Sequence, residues 1–318
     1  MQIDPNKTID ICGIGNAIVD SIFNVEDTDL ESLSLTKGQM SLIDETELSR
    51  MASQFEAKSN TGGGAVANAL VSASQLGACC VLSAKVGDDK LGNIYINDLN
   101  QAGVKTAFKP ISYAKTGQCL GYITKDAQRT MATYLGITGT YKVEDIAISS
   151  IKEAHWLLLE GYLLFSPHGV AALQAACAAA KSYHTKIALS VADPSVASVC
   201  KEAINSLIEL GLDLIFCNKE EAHALTDEEN ISDSLNTLSQ RISCVVITDG
   251  KNGAWAKTDK EHAFCEALNV DAIDTIGAGD SFAGTFLAHY HLNNNLKAAL
   301  SAANQKAASI VQVVGARL

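Results

Sequence analysis

Residues 274–287 read DTIGAGDSFAGTFL. Two acids bracket a Gly-Ala-Gly turn, and a helical apolar pattern begins directly after the second acid. In a glycine-rich turn that opens a helix, the backbone N–H groups converge and the helix dipole adds partial positive charge at the same place. Gly277, Ala278 and Gly279 are therefore read as an anion cradle that the small residues let a ligand approach closely. Asp280 would stand at the mouth of that cradle. Alone, these four residues fit equally well a tight loop followed by an acid favoured in a first helical turn; the rest of the chain has to decide.

With 318 residues, 47% of them apolar, the chain can bury a sizeable core as one large domain or a domain with an insertion. No apolar run reaches the roughly 18 residues of a membrane span, and the start, MQIDPNKTID, lacks the basic-then-apolar order of a signal peptide. A cytoplasmic location is expected. The nine cysteines sit mostly in apolar runs without C-x-x-C spacing, and read as reduced, buried small hydrophobes. A net charge of −12 without a Lys/Arg cluster argues against nucleic acid or an anionic membrane as partner, but not against a small anionic ligand.

Outward from the opening stretch, short apolar runs alternate with helical patterns. KTIDICGIGN, CCVLSAKVG, HWLLLEGYL, KIALSVAD, LDLIFCN and CVVITDG read as strands; AVANALVSASQLG, DDKLGNIYINDLNQAG, GVAALQAACAAAKSY, VCKEAINSLIEL and DSLNTLSQRI read as helices. This rhythm predicts a mostly parallel sheet with helices on both faces. Two segments, 21–46 and 105–136, break it. GQCLGYITKDAQRTMATYLG, in the second, alternates polar and apolar residues like half-exposed antiparallel strands, and the two segments together predict a small sheet attached to the main domain.

Two common phosphate motifs are absent. GIGNAI at 13–18 has Ile where the dinucleotide fingerprint needs a small residue, and no G-x-x-x-x-G-K-[ST] occurs. The chain instead resembles the ribokinase-like, or PfkB, carbohydrate and nucleoside kinases, over nearly its whole length. The D-T-x-G-A-G-D signature stands at Asp274–Asp280; the Gly-Gly followed by an Asn that opens a helix stands at Gly63, Gly64 and Asn68. Within that family GNAIVD, KGQMSLID and RTMATYLG look like the adenosine kinases and their bacterial relatives.

The resemblance implies a ribokinase-like three-layer α/β/α fold with a small β-sheet lid. The lid would comprise 21–46 and 105–136, and the large domain 1–20, 47–104 and 137–318. It also implies roles. Asn16, Asp20, Gly63, Gly64 and Asn68 would hold the substrate, and Arg129 would be a lid arginine approaching the transferred phosphate. Asn218 and Glu221, in NKEE, would organise Mg2+, Glu221 through water. Thr248 and Gly250, in TDGKNGAW, would face ATP with Asp274, and Asn304, in AANQKAA, would lie beside its adenine. Each has a plainer rival: Asp20 as a solvated strand-end acid, Asn68 as an exposed helix residue, Arg129 as a surface charge. His155, His168 and His223 are read as structural or surface residues.

Asp280 would then accept the proton of a primary hydroxyl while the N–H groups of Gly277–Gly279 stabilise charge on the γ-phosphate of ATP. The expected acceptor is the 5′-hydroxyl of adenosine; the alternatives are a free sugar such as ribose, fructose or a keto-sugar acid, or a catalytically silent binding protein on the same fold. The partner is a small molecule, and the chain a monomer or a lid-mediated homodimer.

Overall fold

The computed structural model describes residues 6–126 and 128–318; the sequence reading of residues 1–5 and of Ala127 lies outside the described residues. In chain order the strands are β1 (Ile9–Ile14), β2 (Ile18–Asn24), β3 (Met40–Leu42), β4 (Ser59–Gly62), β5 (Cys80–Ser83), β6 (Val104–Thr106) and β7 (Gly117–Ile123). They continue as β8 (Arg129–Tyr134), β9 (Ala154–Glu160), β10 (Lys186–Ser190), β11 (Leu214–Asn218), β12 (Cys244–Thr248), β13 (Ala254–Thr258) and β14 (His262–Cys265). Nine form the main sheet in the order β14-β13-β12-β11-β10-β9-β1-β5-β6, and five form a second sheet in the order β3-β8-β7-β2-β4.

From β12 to β6 every pairing in the main sheet is parallel. These strands are buried on both faces, which is why HWLLLE and LIFCN are near-continuous apolar runs without alternation. On one face Ile11, Leu158, Leu214 and Val246 pack with residues of the helices Ala65–Ser74, Ala278–Asn293 and Leu296–Ile310. On the other, Ile14, Leu157, Leu189 and Ile247 pack with the helices Pro167–Ser182, Lys201–Glu209 and Ile231–Ser239. The result is the expected three-layer α/β/α arrangement. The sheet is mostly parallel, as expected, with β13 and β14 extending it antiparallel at one end.

The second sheet differs from a plain antiparallel one. β7–β8 and β2–β4 are antiparallel, but β2–β7 and β3–β8 are parallel. It also takes β4 from the interval 47–104 assigned to the large domain, while β6, from the interval 105–136 and its border, pairs in the main sheet. One face buries Phe23, Leu120, Tyr122 and Ala132 against the helices Asp27–Ser32 and Glu45–Ala52, giving this sheet a core of its own. The chain passes between the sheets four times: at 15–17 between β1 and β2, at 63–64 after β4, at 107–116 between β6 and β7, and after β8. All nine cysteines are free, seven of them buried. Among the described residues no helix is long and apolar enough to cross a membrane.

Candidate active site

A cavity of about 870 Å3 lies between the carboxyl ends of the main-sheet strands and the open face of the second sheet. Asn16, Asp20, Gly64, Asn68, Asn218, Glu221, Thr248, Gly277, Gly279 and Asp280 line it. Ligand sites in open parallel sheets occur at this end of the strands.

Asp280 lies in the first turn of the helix Ala278–Asn293, whose N-cap is Gly277. Gly277 has φ +73°, and a Cβ there would run into Ala316, so the turn requires glycine. The N–H of Ala278 makes only a long 3.4 Å bond to Thr275 O. Burial pushes the Asp280 carboxyl up to about 6, against a hydrogen bond from Asn68 and the charge of Arg317, which hold it down, while Asp20 raises it. Asn68 Nδ2 donates to Asp280 Oδ2 at 2.9 Å. Asn68 is buried on the helix Ala65–Ser74, whose N-cap Gly64 has φ +95°. The two helices touch through Gly284, where a Cβ would collide with the Ala69 carbonyl oxygen.

Asn16 and Glu160 meet at the ends of the neighbouring strands β1 and β9. Asn16 Nδ2 donates to Glu160 Oε1 at 2.7 Å, and the Val66 N–H donates to Oε2 at 3.1 Å. Glu160 is fully buried, and desolvation carries it up to about 7 in spite of these donors, with the Asp280 charge adding to the rise. Asp20, on β2, is also pushed up by burial, while the charges of Arg129 and Arg317 oppose the rise. A Cβ on Gly63 would sit 2.5 Å from Asp20 Oδ2, so this turn lies directly under the carboxylate.

Asn218 and Glu221 form a reciprocal helix cap. Asn218 Oδ1 accepts from the Glu221 N–H at 2.8 Å, and the Glu221 carboxylate accepts from the Asn218 N–H at 3.0 Å and from its Nδ2 at 2.8 Å. The motif thus has a structural task, starting the helix Lys219–Thr226. Glu221 is nevertheless buried at the cavity wall. Desolvation lifts it to about 7, and the charges of Asp193, Asp280 and Glu220 add to the rise. A buried carboxylate beside a cavity, with an amide oxygen next to it, offers the kind of oxygen donors that a hard divalent cation takes through its waters.

Six of the sequence-derived residues stand outside the cavity lining: Gly63 and Ala278, which belong to the two glycine turns, and Arg129, Gly250, Asp274 and Asn304. Asp274 uses its oxygens on the loop itself: Oδ1 accepts from the Ile276 N–H and Oδ2 from the Gly315 N–H, both at 3.0 Å. Arg129, at the start of β8, reaches the same carboxylate with Nη1 at 3.4 Å, so the second sheet is tied to the glycine-rich turn by an ion pair. Asn304 Nδ2 donates to the carbonyls of Cys265 and Glu266, both at 3.0 Å, and Gly250 opens a single 3-10 turn after β12. His155 stacks on His291, which pairs with Asp10 at 3.1 Å, and these three lie at the amino ends of β1 and β9, away from the cavity. Sequence reasoning missed Glu160, Asp193, Tyr162 and Arg317. Glu160 carried the signal that the sequence reading gave Asp20, an acid ending an apolar strand; Glu160 does end β9, whereas Asp20 is the third residue of β2, with apolar residues continuing after it.

The open face of the second sheet contributes apolar side chains. Met40 and Leu42 on β3 and Met131 on β8 line the cavity with Leu135, Leu163 and Phe165. Met40 and Leu42 are 47% and 64% exposed, because they face this space.

The family profile described as pfkB family carbohydrate kinase matches residues 27–318. The chain is 30% identical to the ribokinase of Staphylococcus aureus over 272 residues, covering 82% of this chain and 86% of that protein. It is 26% identical to the adenosine kinase of Saccharomyces cerevisiae over 95% of this chain and 94% of the relative. The crystal structure of adenosine kinase from Sinorhizobium meliloti superposes with a TM-score of 0.89 at 28% identity, covering 98% of this chain and 96% of that one. A glycine-rich turn with an acid at its mouth, on a ribokinase-like fold matched along almost all of its length, places the chain in the pfkB family of carbohydrate kinases, as a phosphotransferase acting on a sugar or nucleoside hydroxyl.

Proposed function

We propose that this chain transfers the γ-phosphate of ATP to the 5′-hydroxyl of adenosine. The observation that carries the choice of acceptor is the apolar wall of Met40, Leu42, Met131, Leu135, Leu163 and Phe165, in the same cavity as Asn16, Asp20, Asn68 and Asp280. A nucleoside needs both parts, hydrogen-bonding groups for the ribose and an apolar slot for a flat base. A free sugar is polar all round, and this wall would leave some of its hydroxyls unpaired.

In this reading Asp20 and Asn16 accept and donate to the ribose hydroxyls. Asn68 holds Asp280 Oδ2, which leaves Oδ1 to take the proton of the attacking hydroxyl. The new bond joins that oxygen to the γ-phosphorus, the bond from the γ-phosphorus to the bridging oxygen breaks, and ADP leaves. The N–H groups of Gly277, Ala278 and Gly279 face the growing charge. Arg129, paired with Asp274, is near enough to join them on closure. Mg2+ would be held with its waters by Glu221 and Asn218, and when bound it neutralises phosphate charge. The single buried carboxylate of Glu221, beside the Asn218 amide at the cavity wall, fits an ion held through water.

A panel of nucleosides and free sugars assayed with Mg-ATP tests the reading. The highest kcat/KM is expected with adenosine; ribose phosphorylated efficiently with adenosine inert would replace the substrate while leaving the kinase class intact.

A further inference from the structure

After the helix Leu296–Ile310 the chain turns back across the glycine-rich turn. Val311 O accepts from the N–H groups of Ile273 (2.7 Å) and Asp274 (3.2 Å), the Gly315 N–H reaches Asp274 Oδ2, and Ala316 sits against Gly277. This lays Arg317 beside Asn68. Its Nε donates to Asn68 Oδ1 at 2.8 Å, and its Nη2 donates to the Gly63 carbonyl at 3.3 Å.

The geometry points to Arg317 as a positioning residue that fixes, through Asn68, the hydrogen bond received by the proton-accepting Asp280. The chemistry of the two partners forces the direction. A guanidinium carries donors only, so Asn68 can turn only its oxygen towards Arg317. Its Nδ2 must then face Asp280 Oδ2, as it does at 2.9 Å. With Arg317 absent, rotation of the amide would set its oxygen against the carboxylate, and the proton-accepting oxygen would lose its fixed aim. Arg317 also bonds the carbonyl of Gly63, the turn beneath Asp20, so one side chain braces both ends of the proposed acceptor site. The charged groups facing Asp280 are Arg317 and Asp20, and the charge of Asp280 in turn reaches Glu160, Glu221 and Tyr162. Arg317 is the only cation among them, and its charge opposes the rise that burial and the Asp20 charge impose on Asp280.

The inference rests on the reading of Asp280 as the proton acceptor, and the two fail separately. The test measures kcat, KM for ATP and the pH profile of kcat/KM for Arg317→Gln and Arg317→Lys, with the best acceptor from the panel. Arg317→Gln should lower kcat between about tenfold and 10²-fold, the cost of a misplacement of the order of 1 Å. KM for ATP should stay within about twofold, and the acid limb should move to higher pH because the cation that opposes protonation of Asp280 is gone. Arg317→Lys keeps the charge and loses the fork, so the limb should stay in place while kcat recovers only in part. Wild-type kcat in Arg317→Gln, or a lowered kcat with an unmoved limb, overturns the inference. If circular dichroism finds Arg317→Gln unfolded, Arg317→Lys decides: full kcat overturns it, lowered kcat with an unmoved limb supports it. An active Asp280→Asn would instead remove the reading beneath.

Discussion

Asp280 is held by one hydrogen bond and pushed up to about 6 by burial, so at neutral pH it is mostly ionised yet only weakly stabilised in that form. A general base works best with its pKa near the working pH. Asp280→Asn should therefore lower kcat by at least ~10²-fold with ATP binding retained, and wild-type kcat/KM should climb through about pH 6 as the carboxylate forms. Single-turnover rates and nucleotide titration check the first, a pH series the second; turnover in the variant near the wild-type value would remove Asp280 from the chemistry. At this scale the sequence was legible where a residue type is tied to a local pattern. Asp280 follows a glycine turn, and Asn68 follows Gly63 and Gly64. Arg317 was not legible, since its partner lies 249 positions away and nothing in QVVGARL marks a cation that folds back over a turn. Asp274 was legible as a motif member but not in its task, which is to hold its own loop and Arg129.

The helices Ala65–Ser74 and Ala278–Asn293 carry Asn68 and Asp280, and their separation is set where Gly284 lies on the Ala69 carbonyl. One added methyl group there has no room, and overpacking of this kind costs roughly 1–3 kcal/mol. Gly284→Ala should lower the melting temperature and also kcat, because parting the helices stretches the bond between Asn68 and Asp280. Calorimetry and steady-state kinetics on the same preparation check this; a loss of stability with kcat untouched would show that the helices yield elsewhere. Main-sheet strands were legible as apolar runs because both their faces are covered. β4 was not. SNTG is polar and exposed at three of its four residues, so its place beside β2 comes from backbone pairing that no side-chain pattern records. The antiparallel β13 and β14 escaped because both are short: β13 begins inside TDGKNGAW, which reads only as a loop motif, and β14, at the edge, is a four-residue strand.

Across the whole molecule, three carboxyls around one cavity, Asp280, Glu160 and Glu221, have folded-state values raised by burial to between about 6 and about 7. Folding then takes up protons that the unfolded chain has already lost, so this contribution is present at acid pH and fades as pH rises through those values. The ligand-free protein should melt at a higher temperature near about pH 5.5 than near about pH 8, in a calorimetric series at constant ionic strength; a melting temperature that rises over that interval would contradict the burial argument. The chain passes four times between its two sheets, and two of the passages are short: residues 15–17, which include Asn16, and residues 63–64. A sugar ring held by Asn16 on one side and by the Gly63–Gly64 turn on the other would lie across both joints like a splint. On the proposed function, the strip of chain that would bend if the second sheet swung is the same strip that would grip the substrate, and occupancy of the sugar site alone, before any nucleotide arrives, would stiffen the joint.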